Sequence, residues 1–393
     1  MAAGFASLLP AAAGAAPPPS IPATAWVVVD AGDGTRLAAS QPTVSLPMAS
    51  TTKLMTAYLA LRELPLHRRL TAPPYHPIPG ESLLGLSAGE RISVRDLLYG
   101  LLLPSGNDAA VTLADGVAGS VPAFVGEMNR TAGRLGLRDT SYSNPIGLDQ
   151  SGNYSSPRDL ARLALHLRRD RLFRQIVDTP RKTLRTGSKP RTVVSRNELV
   201  ARVPWVNGVK TGYTPDAGNV LVASATRKGA TLVSVVMGAA TETARDDDTL
   251  TLLRYGFSLY RRKTPVERGQ RLAASAVRGQ DDPLPLVADR PVYVVVRQGQ
   301  SVRVRVDAPA QVRGPIPRGR RIGAAVVTVD GQVAGRAPLV SGRAALGPAS
   351  PSLVSRVDDV VPGPRAVLWA GAGAVAAAIV IGIAIALAHR RAH

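Results

Sequence analysis

The pattern of apolar and polar positions changes its period several times along the chain. Residues 26–30 form a short apolar, β-branched run, and Asp33-Gly34 behind it is a turn signal, so this stretch reads as a strand entering a hairpin. Residues 50–61 repeat apolar side chains at helical spacing. Residues 93–103 do the same, with Ser93 as N-cap and Asp96 three positions on. The stretches 122–135 and 157–169 also predict helices. Residues 219–225 and 230–238 are apolar, β-branched runs that predict two neighbouring strands, and 247–260 predicts a closing helix. Beyond about residue 263 the helical period disappears. Residues 291–296 are apolar, 301–306 alternate arginine with valine, and 323–329 run into an Asp330-Gly331 turn, which together predict a small all-β domain.

The two ends differ from this body. Residues 1–24 are rich in alanine and proline, and their apolar part, 5–16, is similar to a secretory signal, although no Lys or Arg precedes it. Residues 343–365 are rich in Gly, Pro, Ser and Ala and read as a stalk linker. Residues 366–388 are 23 positions without a charge. As a helix they would span about 34 Å, enough to cross a bilayer core. Trp369 near one edge and Arg390 and Arg391 beyond the other favour a transmembrane helix with residues 389–393 as a cytoplasmic tail.

Composition narrows the class. A length of 393 residues predicts two or three domains, and 45% hydrophobic with 19% charged residues suits a folded protein. The absence of cysteine excludes a disulfide framework, a thiol nucleophile and a thiolate zinc site. The net charge of +20 comes from 48 basic and 28 acidic residues, and only six of the basic ones are lysines. The arginines are spread along the chain rather than gathered on one element, so the charge reads as a solvated basic surface and not as a nucleic-acid footprint.

Three short motifs carry candidate chemistry. In Ser50-Thr51-Thr52-Lys53 a serine at the start of a predicted helix has a lysine one turn later on the same face, within reach of its hydroxyl. Such a lysine serves as base to the serine when burial and a second cation lower its pKa. In Ser105-Gly106-Asn107 a hydroxyl and a carboxamide follow an apolar helix end and lie on a loop. In Lys210-Thr211-Gly212 a strand-like stretch presents two groups suited to an anion, and Gly212 removes a side chain where a substrate backbone must approach. The five histidines, His67, His76, His166, His389 and His393, form no His-Glu-x-x-His array, and no Gly-x-Ser-x-Gly elbow is present, so a catalytic zinc or a serine–histidine triad has little support.

Taken together, in this order, the three motifs match the Ser-x-x-Lys, Ser-x-Asn, Lys-Thr-Gly set of penicillin-binding proteins and serine β-lactamases. The span 25–262 resembles the D-alanyl-D-alanine carboxypeptidases. The stretches carrying the likeness are 47–56, 96–110, Asn144-Pro145-Ile146-Gly147-Leu148 and Gly208-Val209-Lys210-Thr211-Gly212-Tyr213-Thr214. The resemblance implies an α+β fold. A penicillin-binding/β-lactamase-like catalytic domain, an antiparallel sheet with helices, would occupy 25–262, followed by the small all-β domain at 263–342, the stalk and the C-terminal transmembrane helix. It implies Ser50 as nucleophile, Lys53 as base kept neutral beside a positive Lys210, Asn107 positioning Lys53, and Ser105 passing a proton to the leaving amine. The backbone N–H groups of Ser50 and Tyr213 would meet the oxyanion. Thr211 and an arginine, Arg245 or alternatively Arg196, would bind a terminal carboxylate. The implied partners are a peptidoglycan pentapeptide as substrate, β-lactam antibiotics as inhibitors and the cell membrane through the C-terminal helix, with the catalytic domain on the extracellular side. No nucleic acid, metal or organic cofactor is implied. A β-lactamase on the same fold, with Glu127 or Asp149 as deacylation base, a D,D-endopeptidase, and a non-catalytic wall-binding relative remain as alternatives.

Overall fold

The structure is a computed structural model that describes residues 17–347. Residues 1–16, the expected transmembrane helix at 366–388, the tail at 389–393 and all but the first five residues of the stalk lie outside the described residues. Among the described residues no single helix is long and apolar enough to cross a membrane.

A five-stranded antiparallel sheet organises the first part of the chain, in the order Arg36–Ser40, Ala25–Asp30, Ala230–Ala239, Gly218–Arg227, Val206–Thr214. Alternation along each inner strand sends side chains to opposite faces. Val27, Val29, Val220, Val222, Val233 and Val235 point to one core, while Trp26, Val28, Leu221, Ala223, Leu232 and Val236 point to another. Both faces are covered, which is why these strands read as unbroken apolar runs in the sequence. On the first face lie the helices Lys53–Glu63, Val94–Leu102, Asn107–Ala118, Val121–Leu135 and Pro157–Leu167. On the second lies Glu242–Ser258, through Leu250, Leu252 and Leu253.

The caps explain several helix starts. Ser93 accepts from the Asp96 N–H at 3.2 Å, as its spacing predicts, and Ser120, Ser156, Asp170 and Thr241 cap their helices in the same way. Thr241 starts the last helix five residues earlier than the apolar period alone predicts, since the intervening Glu-Thr-Ala-Arg-Asp is polar. Three helices escaped the pattern, one of them the four-residue Leu199–Arg202. Asn107–Ala118 follows a turn-like Ser-Gly-Asn, and Arg171–Val177 is short and arginine-rich.

Chain contacts divide the described residues into two units. The first comprises 17–265 with Tyr293–Arg303 and Val329–Ala334, and the second Val266–Val292, Val304–Thr328 and 335–347. The second unit is built around a six-stranded sheet in the order Val302–Asp307, Arg321–Val329, Gln332–Ser341, Leu284–Ala288, Arg271–Val277, Gln311–Val312. No helix lies within it among the described residues.

Candidate active site

The nucleophile motif does not begin as a plain α-helix. Ala49–Thr52 is a single 3₁₀ turn, and the α-helix starts at Lys53. Ala49 has a φ of 47°, a left-handed conformation that costs a non-glycine residue about 1 kcal/mol. This bend lifts Ser50 out of the core while Lys53 stays inside it, fully buried. The Lys53 ammonium nitrogen Nζ lies 3.0 Å from Ser50 Oγ and donates to the Ile146 carbonyl at 2.5 Å. Ile146 belongs to the Asn144-Pro145-Ile146-Gly147-Leu148 loop, which also receives the Thr56 hydroxyl on Pro145 O at 2.8 Å. A Cβ on Gly147 would lie 2.0 Å from Ala49 O, so only glycine lets this loop pass so close beneath the nucleophile.

The Ser105-Gly106-Asn107 segment closes one side. Ser105 has a φ of 69°, and its buried hydroxyl has no hydrogen-bond partner. A strained residue with an unpartnered polar atom is the form a functional group takes when its partner comes with the substrate. Asn107 opens a helix, and its amide nitrogen donates to Glu81 Oε2 at 2.6 Å. Among the described residues the Lys53 amine bonds to Ser50 and to the backbone carbonyl of Ile146, while the nitrogen of the Asn107 carboxamide is tied to a loop carboxylate.

Lys210, Thr211 and Gly212 lie on the edge strand Val206–Thr214. A Cβ on Gly212 would meet Ala49 Cβ at 2.9 Å and Ser50 N at 3.0 Å, so the glycine brings the strand edge directly against the nucleophile's backbone. Lys210 is buried and donates to Thr211 O at 2.8 Å, while Tyr213 is 62% exposed at the open end. Arg245 is buried near Lys210, and its Nε and Nη2 both bond Asp246 Oδ1, at 3.0 and 2.9 Å. Arg196 is exposed and its Nε donates to Pro104 O at 3.1 Å.

Electrostatics follow from burial. Loss of water pushes the Lys53 amine down to about 7, assisted by Arg196 and opposed by Glu81 and Asp108. Burial also pushes the Lys210 amine well below its ordinary value, assisted by Lys53, Arg196 and Arg245. Desolvation and three neighbouring cations therefore oppose the positive charge expected on Lys210. The carboxylates singled out for a β-lactamase have other partners. Glu127 is held by Arg130 and Arg134 at 2.8 and 2.5 Å, and Asp149 accepts from the Thr214 hydroxyl at 2.7 Å, bracing the end of the edge strand. Sequence reasoning missed Glu81, Asp108 and Ile146. Asp108 lies inside the matching stretch but carried no assigned role; Glu81 and the backbone carbonyl of Ile146 gave no signal of their own.

Comparison with known proteins agrees with this geometry. Residues 12–241 match the family model of D-alanyl-D-alanine carboxypeptidases, peptidase family S11, and residues 260–345 match the C-terminal domain of penicillin-binding protein 5. The chain is 32% identical over 306 residues to the D-alanyl-D-alanine carboxypeptidase DacF of Bacillus subtilis, covering 75% of this chain and 79% of that one. It is 31% identical over 342 residues to DacA of Escherichia coli, covering 82% and 83%. Penicillin-binding protein 5 from Haemophilus influenzae superposes with a TM-score of 0.60 at 31% identity, over 84% of this chain and 99% of that one. The DD-transpeptidase of Streptomyces K15 superposes with a TM-score of 0.59 at 34% identity, over 62% and 100%. With its motif serine and lysine in contact at the edge of this sheet, the chain belongs to the D-alanyl-D-alanine carboxypeptidase family of serine peptidases.

Proposed function

We propose that the protein removes the terminal D-alanine from peptidoglycan stem pentapeptides through an acyl-enzyme on Ser50. The observation that carries this reading is the 3.0 Å contact between Lys53 Nζ and Ser50 Oγ, made by an amine that burial has brought to about 7. The extended peptide lies along the free edge of Val206–Thr214, where backbone pairing supplies affinity without a deep pocket. Its carboxylate is met by Thr211 and by Arg245 or Arg196, whose planar guanidinium groups suit two parallel bonds. A negative charge arriving beside Lys210 favours its charged form, and a charged Lys210 favours a neutral Lys53.

Ser50 Oγ attacks the penultimate D-alanine carbonyl carbon, and its proton passes to Lys53. The oxyanion is received by the backbone N–H groups of Ser50 and Tyr213. The carbon–nitrogen bond breaks as the leaving amine takes a proton through the Ser105 hydroxyl. Water then hydrolyses the ester, giving its proton to the base and freeing Ser50. A β-lactam acylates Ser50 by the same attack, its ring amide replacing the peptide bond. The test is D-alanine release from a synthetic pentapeptide. The intact chain is expected to release it and Ser50→Ala to release none, whereas release by Ser50→Ala would discard the nucleophile.

We also propose that residues 366–388 anchor the protein in the cell membrane in a single pass, with the catalytic domain on the extracellular side. The charge-free length of this segment and the two arginines behind it support the reading. Membrane fractions should hold the full chain after alkaline extraction and lose a chain ending at residue 365. Equal release of both would remove the anchor.

A further inference from the structure

A carboxylate that belongs to none of the three motifs sits beside the reaction centre. Glu81 lies on the irregular segment 73–90, between the strands Arg69–Thr71 and Arg91–Ser93. Loops of this length without secondary structure of their own tend to carry function. This one is firmly held. The buried Asp108 carboxylate accepts from the N–H groups of Leu84, Gly85 and Leu86 at 2.8, 2.7 and 2.8 Å. Its far end is fixed by Glu90, which takes both Nη atoms of Arg191 at 2.7 Å. From this frame Glu81 reaches two side chains. It accepts from the Tyr75 hydroxyl and from Asn107 Nδ2 at 2.6 Å, and its other oxygen accepts from the Ile78 N–H at 2.9 Å.

The chemistry of that arrangement is one-sided. An ionised carboxylate only accepts hydrogen bonds, so it must face the nitrogen end of the Asn107 amide. The hydrogen bonds from Asn107 and Tyr75 outweigh the cost of burial and keep Glu81 below its ordinary carboxylate range, while Tyr75 is pushed up, by burial first and then by Glu81 itself. Tyr75 therefore stays a donor and Glu81 stays charged. Three charged groups act on the Lys53 amine from the surrounding elements, basic Arg196 and acidic Glu81 and Asp108, and the buried amine of Lys210 is a fourth titratable neighbour. Asp108 is occupied with backbone N–H groups, and of the charges opposing the discharge of Lys53, Glu81 acts most strongly.

We propose that Glu81 is a positioning residue of the acyl-transfer site: shared between Tyr75 and Asn107, its carboxylate fixes the Asn107 amide with Oδ1 left for an N–H donor, and holds a negative charge near the Lys53 amine. This inference rests on the serine acyl-transfer reading above. Two separable effects follow, one from the reach of the side chain and one from its charge.

The experiment measures the second-order rate constant for acylation by a fluorescent penicillin between pH 5 and 9, with melting temperature as a check on folding. In Glu81→Gln the shape and an acceptor oxygen remain but the charge is gone. Its acidic limb should move to lower pH by about one unit, because Lys53 loses an attractive partner. In Glu81→Asp the charge remains but the reach to Asn107 shortens. Its limb should stay near the wild-type position while the plateau falls about tenfold or more. A plateau loss in Glu81→Gln with the wild-type midpoint would reduce Glu81 to a structural role and overturn the proposal, as would wild-type behaviour in both variants. Acylation of Ser50 in the wild type is a separate check in the same experiment: its failure would sink the function, whereas an unmoved midpoint beside intact acylation sinks only the role of Glu81.

Discussion

Gly147→Ala is the substitution whose consequence can be worked out most completely. The added Cβ would stand 2.0 Å from Ala49 O, 2.5 Å from Ala49 C and 3.0 Å from Ser50 Cα. All three are backbone atoms, so no side chain can swing aside. Reaching ordinary contact distance requires the loop and the nucleophile turn to part by about 1 Å. Gly147 also has a φ of 89°, which adds about 1–2 kcal/mol for any L side chain. With an overpacking cost of about 1–3 kcal/mol, the total is about 2–5 kcal/mol, below the stability of a typical domain, so the variant should still fold. Its melting temperature should fall by about 5–15 °C. The larger effect is on chemistry, because the same shift moves Ser50 and pulls the Ile146 carbonyl off the Lys53 amine. A displacement of about 1 Å at a reacting group costs about a hundredfold. The matching control is Gly299→Ala, whose φ is 90° and whose Cβ would meet nothing within 4 Å. It should lose a little stability and no acylation rate. The assay is melting temperature together with the rate of labelling by a fluorescent penicillin. Wild-type labelling by Gly147→Ala, or equal losses in the two variants, would refute the role given to this loop.

Other consequences are simpler to state. An amine at about 7 gains its neutral form as pH rises, so the second-order acylation rate should climb about tenfold between pH 6 and pH 8; a flat profile, or a limb near the ordinary lysine value, would count against Lys53 as base. The lowered pKa also carries a stability penalty. Unfolded lysine holds its proton up to about pH 10.4 and the folded one gives it up near 7, so the penalty is largest below pH 7 and fades as pH rises toward 10. At pH 8 it amounts to about 3 kcal/mol, so Lys53→Met should melt higher than wild type there while losing acylation, and a lower melting temperature would contradict this balance. Arg196→Gln, at an exposed position, should leave the melting temperature unchanged and reduce kcat/KM for the peptide. Arg245→Gln should lower both, because the buried Asp246 then loses the two hydrogen bonds from Arg245 and keeps only the looser contact with Arg202 at 3.9 Å.

The legible parts of the molecule are those fixed by local spacing. Ser50 and Lys53 are three residues apart, so a helical turn brings them together whatever surrounds them. The paired apolar runs at 219–225 and 230–238 required a neighbour on each side, and the sheet supplies one. The sequence was silent where a contact joins distant segments or involves the backbone alone. Ile146 meets Lys53 through a carbonyl, which every residue possesses. Glu81 reaches Asn107 across 26 positions because Asp108 folds the loop back, and nothing in a Pro-Gly-Glu-Ser stretch marks that route. The extent to which burial lowers the Lys210 amine was not legible for a related reason, since spacing says which residues meet but not how much water leaves with them. Asn107–Ala118 was missed because Ser-Gly-Asn reads as a turn. Within it a Cβ on Gly116 would meet Leu70 Cδ1 at 2.4 Å, so the helix packs closely on that side chain.

The most direct measurement is intact-protein mass spectrometry of the purified catalytic part of the chain, including the β domain, after brief exposure to benzylpenicillin, followed by peptide mapping. A neutral amine beside the Ser50 hydroxyl predicts a single covalent adduct equal to the whole drug, on the peptide containing Ser50, absent in Ser50→Ala and strongly reduced in Lys53→Ala. An unmodified mass in the folded protein, or an adduct on any other residue, would contradict the account.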